Sequence, residues 1–488
     1  MSETPSNSDR PRSESDVASA TGLDPSSLTP DLRRRFSGLL RRLRSGRVAG
    51  RARERAIEVI RVAAEARRLR EAMPIVVGPP PEDLPIAAVW DSLGKAIARH
   101  PVVVVRGATG SGKSTQIPRL CLAIGRGISG RIAVTQPRRI AARAIAARLA
   151  ESCGVAVGTG IGWRTRFERR LSAGSRIEVC TDGVLAASLG HDPLLRDYDT
   201  VILDEAHERS VTIDLLLGAL RHAVAQRTDL RVVIASATIA AESFARFFGE
   251  APIVEVSGRQ HPVEIVHRPI EGSVETDADA AVIEAMADGI EEAVDRQGGE
   301  SGDVLAFLPT TRMIDELAET IRGRLGHVPI LPLHARLDQS AQDAAFREPS
   351  STRVILATNV AETSLTLPWV RSVVDSGLAR VRRYHPRRRI ARLRVEPISR
   401  ASAAQRAGRC GRVGPGVCIR LYAEEDLAKR PEFTPPEILR TGLAGTMLEL
   451  AHRRLPPIEA FPWIDPPSPV RIEEAKRTLR EIGAIETI

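Results

Sequence analysis

The sequence predicts an α/β protein: two doubly wound parallel sheets in tandem, followed by a short, mostly helical C-terminal piece. Three observations carry that reading. The first is a run of four valines, Val102 to Val105, that leads into Gly107-Ala108-Thr109-Gly110-Ser111-Gly112-Lys113-Ser114-Thr115 and then into a helical pattern. The second is the alternation of short apolar segments with helical ones over residues 86–258. The third is a second series of the same kind from 262 to about 422, without the glycine-rich turn. Continuous apolar strands alternating with helices mark a parallel sheet covered on both faces.

Residues 1–30 are rich in Ser, Pro, Asp and Thr and poor in large apolar groups, so a disordered tail is predicted. Residues 31–85 form a basic helical extension and a proline-rich linker. In the extension, Leu32, Phe36, Leu39, Leu40 and Leu43 fall on one helical face, followed by Ile57, Ile60 and Ala64, with a break near Ser45-Gly46. Two basic amphipathic helices suit either an RNA-binding arm or a pair docked on the next domain by their apolar face. Strands are predicted at 102–105, 131–135, 177–181, 201–204 and 232–235 in a first domain, 86–258. Those of a second domain, 259–425, are predicted at 304–308, 330–333, 354–357, 372–374 and 417–421, and a last region spans 426–488.

Bulk properties narrow the function. No apolar run approaches the length of a membrane span. The polar N-terminus is not a secretory signal. The five cysteines are scattered without C-x-x-C spacing, as reduced thiols in a cytoplasmic protein would be. A net charge of +9 points to a polyanionic partner, most often nucleic acid. Lysine occurs only at Lys95, Lys113, Lys429 and Lys476, so Lys113 stands where the chemistry wants a compact ammonium.

Strand, G-x-x-x-x-G-K-[ST] and helix in that order make a phosphate-binding loop. Backbone N–H groups of Gly107 to Thr115 would cradle an anion at a helix N-terminus, Lys113 would reach the β- and γ-phosphates, and the Ser114 hydroxyl would ligate Mg²⁺. The next strand ends in Asp204-Glu205-Ala206-His207. Asp204 is expected in the Mg²⁺ shell beside Glu205, which would activate water, and His207 would relay to the following motif, Ser236-Ala237-Thr238. In the second domain, Gln405-Arg406-Ala407-Gly408-Arg409-Cys410-Gly411-Arg412 places Arg409 and Arg412 three apart, facing one way on a helical turn. Guanidiniums delivered onto a γ-phosphate from a second domain are arginine fingers.

These motifs share one order with Thr135-Gln136-Pro137-Arg138-Arg139, Thr181-Asp182-Gly183, Phe307-Leu308-Pro309 and Ala357-Thr358-Asn359-Val360-Ala361-Glu362-Thr363-Ser364. The set resembles the DEAH-box helicases of superfamily 2. Within them, Glu396-Pro397-Ile398-Ser399 and the extensions of the other motifs resemble the bacterial HrpA-type RNA helicases. The resemblance, from about residue 74 to 488, implies two RecA-like domains, ATP and Mg²⁺ in the cleft between them, and single-stranded or 3′-tailed RNA across their top. It also implies roles by position: Arg139, Arg166 and Thr181 on the RNA backbone from the first domain, and Asn359 and Thr363 from the second. Arg148 and Phe346 match the adenine sandwich, and residues 380–394 match a β-hairpin that wedges against the 5′ side.

Thr310, Ala341-Gln342 and Trp163 depart from the usual Gly, Glu-Gln and Tyr of the family. Residues 426–488 match only the start of its winged-helix region. The modules that normally close the RNA channel are not expected here, as in a truncated or minimal version. The primary expectation is an ATP-dependent RNA helicase or translocase. The alternatives are an ATP-gated scaffold without processive unwinding and a DNA translocase with the same motor.

Overall fold

A computed structural model describes residues 29–45, 47–108, 110–237, 241–258, 261–270, 278–298, 301–334, 344–345, 347–362, 367–385, 390–412 and 414–485. Residues 1–28 of the predicted disordered tail, Thr109, Thr238, Phe346, Thr363, Ala341-Gln342 and the 386–389 tip of the basic hairpin lie outside those residues, while Pro30, expected in the tail, opens a helix.

Three helices open the described chain: α1 (Pro30–Arg35), α2 (Ser37–Arg44) and α3 (Gly50–Glu71). Leu32, Phe36, Leu40, Leu43, Val48, Ala56, Ile60 and Ala64 bury one another in a small core of their own. The helices α1 and α3 meet the next domain through buried arginines, and just beyond them Met73 packs on Gly160 and Gly174. Arg70 Nε donates to the Ile128 carbonyl at 2.8 Å, its NH2 to the Ser129 carbonyl at 3.2 Å, and Arg35 donates to that same Ser129 carbonyl. Burial, reinforced by the mutual proximity of the two guanidiniums, lowers Arg70 to about 9.

The first sheet has eight strands in the order β4-β3-β5-β2-β6-β7-β1-β8. Their ranges are β1 (Val102–Gly107), β2 (Arg131–Gln136), β3 (Ile161–Arg164), β4 (Arg169–Arg170), β5 (Ile177–Thr181), β6 (Tyr198–Leu203), β7 (Arg231–Ser236) and β8 (Ile253–Val256). All neighbours are parallel except β3 and β4. Helices α4 (Trp90–Arg99), α5 (Lys113–Ala123), α6 (Arg139–Ser152), α7 (Asp182–Ser188), α8 (Val211–Gln226) and α9 (Ala241–Phe247) cover its two faces. Strands β3, β4 and β8 escaped the sequence reading because they lie at or near the sheet's edges and lack continuous apolar runs.

The second sheet carries six parallel strands, β11-β12-β10-β13-β16-β9. They are β9 (Val263–His267), β10 (Asp303–Phe307), β11 (Ile330–Leu333), β12 (Arg353–Ala357), β13 (Val370–Asp375) and β16 (Gly416–Arg420), with helices α10 (Ala278–Gln297), α11 (Thr311–Arg324) and α12 (Arg400–Ala407). Between β13 and α12, β14 (Leu378–His385) and β15 (Ile390–Pro397) form the expected antiparallel hairpin. The two-sheet architecture is the predicted fold class.

After α13 (Glu424–Lys429) come α14 (Ala444–His452) and α15 (Pro469–Glu481), and no strand occurs among the described residues beyond Arg420. This piece returns to the first sheet. Ile438, Leu443, Leu450, Ile458, Phe461 and Trp463 join the core under α8. At Gly218 in α8 an added Cβ would run into the Phe461 ring. Gly218→Ala is therefore expected to lower stability by about 1–3 kcal/mol, read as a drop in denaturant midpoint, because ring and helix cannot both keep their places. An unchanged midpoint would mean that the piece does not pack there in solution. All five cysteines are buried, and burial pushes Cys121 and Cys410 up to about 12, so they are poor nucleophiles. No helix among the described residues is long and apolar enough to cross a membrane.

Candidate active site

The site lies at the carboxyl ends of the strands, where a parallel sheet leaves its loops and helix N-termini convergent. Buried β1 delivers the chain to the glycine turn. Gly110 and Gly112 take φ of +89° and +92°, a left-handed backbone that a side chain would strain. The turn thus closes directly onto the first residue of α5, Lys113. The Lys113 ammonium is buried and donates to the Ala108 carbonyl at 2.7 Å, to Ser111 Oγ at 3.3 Å and to the Gly107 carbonyl. Burial lowers its pKa; Glu205 and Asp204 oppose that shift. Ser114 is half-buried beside it, and the Thr115 hydroxyl donates to the Gly112 carbonyl at 3.3 Å.

Asp204 and Glu205 follow β6. Gln136, at the end of neighbouring β2, donates to Asp204 Oδ2 at 2.6 Å, and the Glu205 amide donates to Oδ1 at 3.0 Å. The Asp204 carboxylate is thereby fixed in orientation. Glu205 adopts φ of +53°, a left-handed conformation rare for a residue with a side chain. Burial, then the Asp204 charge, pushes Glu205 up to about 8, with Lys113 pulling the other way. His207 Nδ1 accepts from the Ala237 amide at 3.3 Å, and its Nε2 lies 3.4 Å from Glu205 Oε2. Burial, then Lys113 and Arg409, lowers His207 to about 3, so the ring is neutral at physiological pH. Its accepting Nδ1 puts the proton on Nε2, facing Glu205. The ring thus touches both the acidic pair and the Ser236-Ala237 segment.

The second sheet contributes Arg409 and Arg412. They lie beyond the end of α12, in a turn, so the helical-turn expectation is corrected; both guanidiniums nonetheless feel the charge of Glu205. A Cβ built on Gly110 would stand 3.5 Å from Arg412 Nε. Burial lowers Arg412 to about 10, opposed by Glu205. Its Nε and both terminal nitrogens are buried, with no hydrogen-bond partner among the described residues. Burial and Arg412 lower Arg409 to about 9, and Arg409 donates to the Glu362 carbonyl. A guanidinium carries five N–H donors, and an orphaned one in a cleft is a demand for an anion. Gln405 is half-buried in α12.

Glu362, Arg406 and Asp375 were not assigned from sequence. Arg406 is fully buried and pairs with Glu362 at 3.0 Å and Asp375 at 2.7 Å, and its guanidinium lies 4.7 Å from the Phe307 ring centroid. Glu362 also accepts from Ser402 Oγ. One acidic residue therefore anchors α12 by its side chain and Arg409 by its backbone. The signal was present, since Glu362 and Gln136 lie inside recognisable motifs, but their partners are remote in sequence.

The candidate nucleic-acid residues spread along the same rim. Arg139 opens α6 after β2, Arg166 tips the β3–β4 turn and Thr181 ends β5; these strands are neighbours in the order β3-β5-β2. Asn359 is exposed after β12 in the second sheet. Arg148 is exposed on α6, while its expected partner across the adenine, Phe346, lies outside the described residues.

Residues 91–247 match the DEAD/DEAH box helicase model, and residues 281–414 match the helicase conserved C-terminal domain. The chain belongs to the DEAD/DEAH box helicases. It is 48% identical over 410 residues to the ATP-dependent RNA helicase HrpA of Escherichia coli (strain K12), covering 83% of this chain and 31% of that protein. An HrpA homolog of Haemophilus influenzae is 46% identical over 435 residues, covering 88% of this chain and 32% of the relative. This helicase-family chain thus spans about a third of the length of these curated relatives. The crystal structure of the Escherichia coli DEAH/RHA helicase HrpB superposes with a TM-score of 0.74 at 38% identity, covering 83% of this chain and 51% of that one.

Proposed function

We propose that this chain hydrolyses ATP to ADP and phosphate and couples the reaction to movement on, or unwinding of, RNA in the cytoplasm. The observation that carries the hydrolytic half is the buried Arg412 of the second sheet, standing at the Gly110 turn of the first with its Nε and both terminal nitrogens unpartnered among the described residues. Lys113 comes from the first sheet and Arg409 and Arg412 from the second, and Arg412 has every donor unspent. A polyphosphate bridging the two sheets satisfies those donors and fits the glycine cradle. Among the described residues no cluster of three or more His, Cys, Asp or Glu could hold a metal unaided. Asp204, Glu205 and the Ser114 hydroxyl suit Mg²⁺, which takes few protein ligands and completes its shell with phosphate and water. When bound, the ion neutralises charge on the transferring phosphoryl group.

In the step itself, a water oxygen attacks the γ-phosphorus and the bond to the β–γ bridging oxygen breaks. Glu205, held by its strained backbone, orients that water and would take its proton once Lys113 and a bound Mg²⁺ favour its ionised form. Arg409 and Arg412 balance the charge spreading over the γ-oxygens, so chemistry depends on the two sheets being closed. Supporting the RNA half are the rim of Arg139, Arg166, Thr181 and Asn359, the net charge of +9, and relatives named as ATP-dependent RNA helicases. Arg148 and Phe346 would stack on the adenine; stacking reads a π-face, so weak discrimination among nucleoside triphosphates is expected.

The test is ATP turnover with and without single-stranded RNA or DNA, beside Lys113→Ala. Stimulation by RNA over DNA and loss of turnover in the variant are expected. Lys113→Ala turning over at the wild-type rate would falsify the site. Equal stimulation by DNA would favour a DNA translocase. Failure to displace a strand from a 3′-tailed duplex, with RNA-stimulated turnover intact, would leave an ATP-gated binding scaffold.

A further inference from the structure

The N-terminal extension leaves part of its surface unused, and that surface forms one side of a groove against the first sheet. The groove encloses about 260 Å³, and α3 lines it with Val59, Val62, Ala63 and Ala66. Val59 and Val62 are 51% and 57% exposed, although the extension has a core of its own. Leu69, one turn past Ala66, is 42% exposed. The spacing of Val59, Val62, Ala66 and Leu69 puts them on one face of the helix, so the apolar row continues beyond the groove.

The other side of the groove is cationic, with Arg35, Arg70 and Arg131. Arg35 and Arg70 are buried and, among the described residues, donate to the Ile128 and Ser129 carbonyls. A carbonyl satisfies a donor without cancelling the charge. The Nε atoms of Arg35 and Arg131 are buried with no partner among the described residues. Nearby carboxylates are largely committed to other groups. Asp199 accepts from the Gly127 and Gly130 amides and lies 3.6 Å from Arg126. Glu178 is shared between Arg131 and Arg164, and Glu58 pairs with Arg61 at 3.0 Å. The three guanidiniums therefore offer charge that an incoming carboxylate would meet with strong, charge-assisted hydrogen bonds.

The groove stands apart from the nucleotide site. Arg131 opens β2 and Asp197 precedes β6, whereas Gln136 and Asp204 stand at the opposite ends of those strands. The length of β2 separates the two places by about 17 Å. A polyphosphate would gain nothing from the apolar side and would meet Glu58 and the exposed Asp197, which also line the groove. Small-molecule sites are usually larger, roughly 300–1,000 Å³. This one suits a few side chains of a longer ligand laid along α3.

We propose that the groove docks a segment of a separate protein in which carboxylates alternate with apolar side chains. The carboxylates enter beside Arg35, Arg70 and Arg131, and the apolar side chains lie along Val59, Val62 and Ala66. Such a partner rides on the amino ends of the first sheet's strands and leaves the phosphate loop and the rim at their carboxyl ends free.

The test pans random peptides displayed on phage against the full chain. Enriched peptides are then synthesised with a fluorophore and titrated by anisotropy onto wild type, Val62→Glu and Val62→Lys. Enrichment of peptides with Asp or Glu set among Leu, Val or Phe is expected. Val62→Glu should weaken their binding by about tenfold or more, because it sets like charges against each other, while Val62→Lys should stay within about threefold of wild type. Added KCl should weaken binding. An unchanged thermal midpoint shows that the variants are folded, as expected for a half-exposed position. A fluorescent oligouridylate should bind Val62→Glu and wild type equally.

Enrichment of no acidic–apolar peptide overturns the proposal, as does equal binding of such peptides to Val62→Glu and wild type. If Val62→Lys weakens binding as much as Val62→Glu, the groove reads apolar surface alone and the proposal falls. If Val62→Glu instead weakens the oligouridylate, the extension is an RNA-binding arm and the proposal falls.

Discussion

Arg412→Ala is expected to lower ATP turnover by about 10³-fold or more, with nucleotide affinity changed only a few-fold. The guanidinium reaches the phosphate loop from the other sheet, and its three nitrogens are buried without partners among the described residues. Burial already lowers its pKa to about 10, so the folded chain bears a cost that only an anion offsets. Removing it should leave the nucleotide-free protein no less stable, and a thermal melt checks this. Arg409→Ala should also abolish most turnover, but with a structural side effect, since Arg409 holds the Glu362 carbonyl. Arg412→Lys should not rescue, because a point-like ammonium cannot present the planar fork. The measurement is single-turnover hydrolysis beside equilibrium binding of a fluorescent ATP analogue. Turnover within threefold of wild type would remove the finger assignment.

Glu205→Gln should abolish hydrolysis to a similar degree, by about 10²–10⁴-fold, while ATP still binds. The amide has the same shape but cannot accept the water's proton. The same variant makes a second, opposite prediction about stability. Burial and Asp204 push Glu205 up to about 8, so its folded pKa lies above the usual 4.5. A raised carboxyl favours the folded state at low pH, and that contribution is lost as pH rises through the folded value. Without nucleotide or Mg²⁺, the stability advantage of the Gln variant over wild type should therefore grow from about pH 4.5 to about pH 8 and then level off. Urea melts across that range read it directly. An advantage that shrinks with pH would mean that the pair is not buried as described.

What could be read from sequence was local. Four valines before a glycine turn, an apolar run ending in two acids, and strand–helix alternation each fit within a dozen residues, and their chemistry follows from spacing. The assignments that needed correction or were missed depend on residues far apart in the chain. Arg409 and Arg412 were expected on a helix and sit past its end, because Gly408 and Gly411 break the pattern. The Glu362–Arg406–Asp375 anchor joins positions 31 to 44 residues apart. Arg35 and Arg70 read as generic basic surface, yet both are buried on carbonyls of the loop before β2. Nothing in their neighbours' identities marks them out.

The return of the C-terminal piece to the first sheet has a mechanical consequence. The chain crosses from the first α/β unit to the second between β8 and β9, and crosses back between β16 and Glu437. There Glu437 donates its amide to the Arg209 carbonyl, and Asp465 meets the Arg209 guanidinium at 2.7 Å, just beyond the acidic pair. Two bodies joined by one strand can swivel in any direction. Joined by two, they are confined to a single rotation, like a door on two pins. The cleft then opens along one track, so each opening would carry the rim of the second unit that holds Asn359 along the same path, with its direction set by where the two crossings lie.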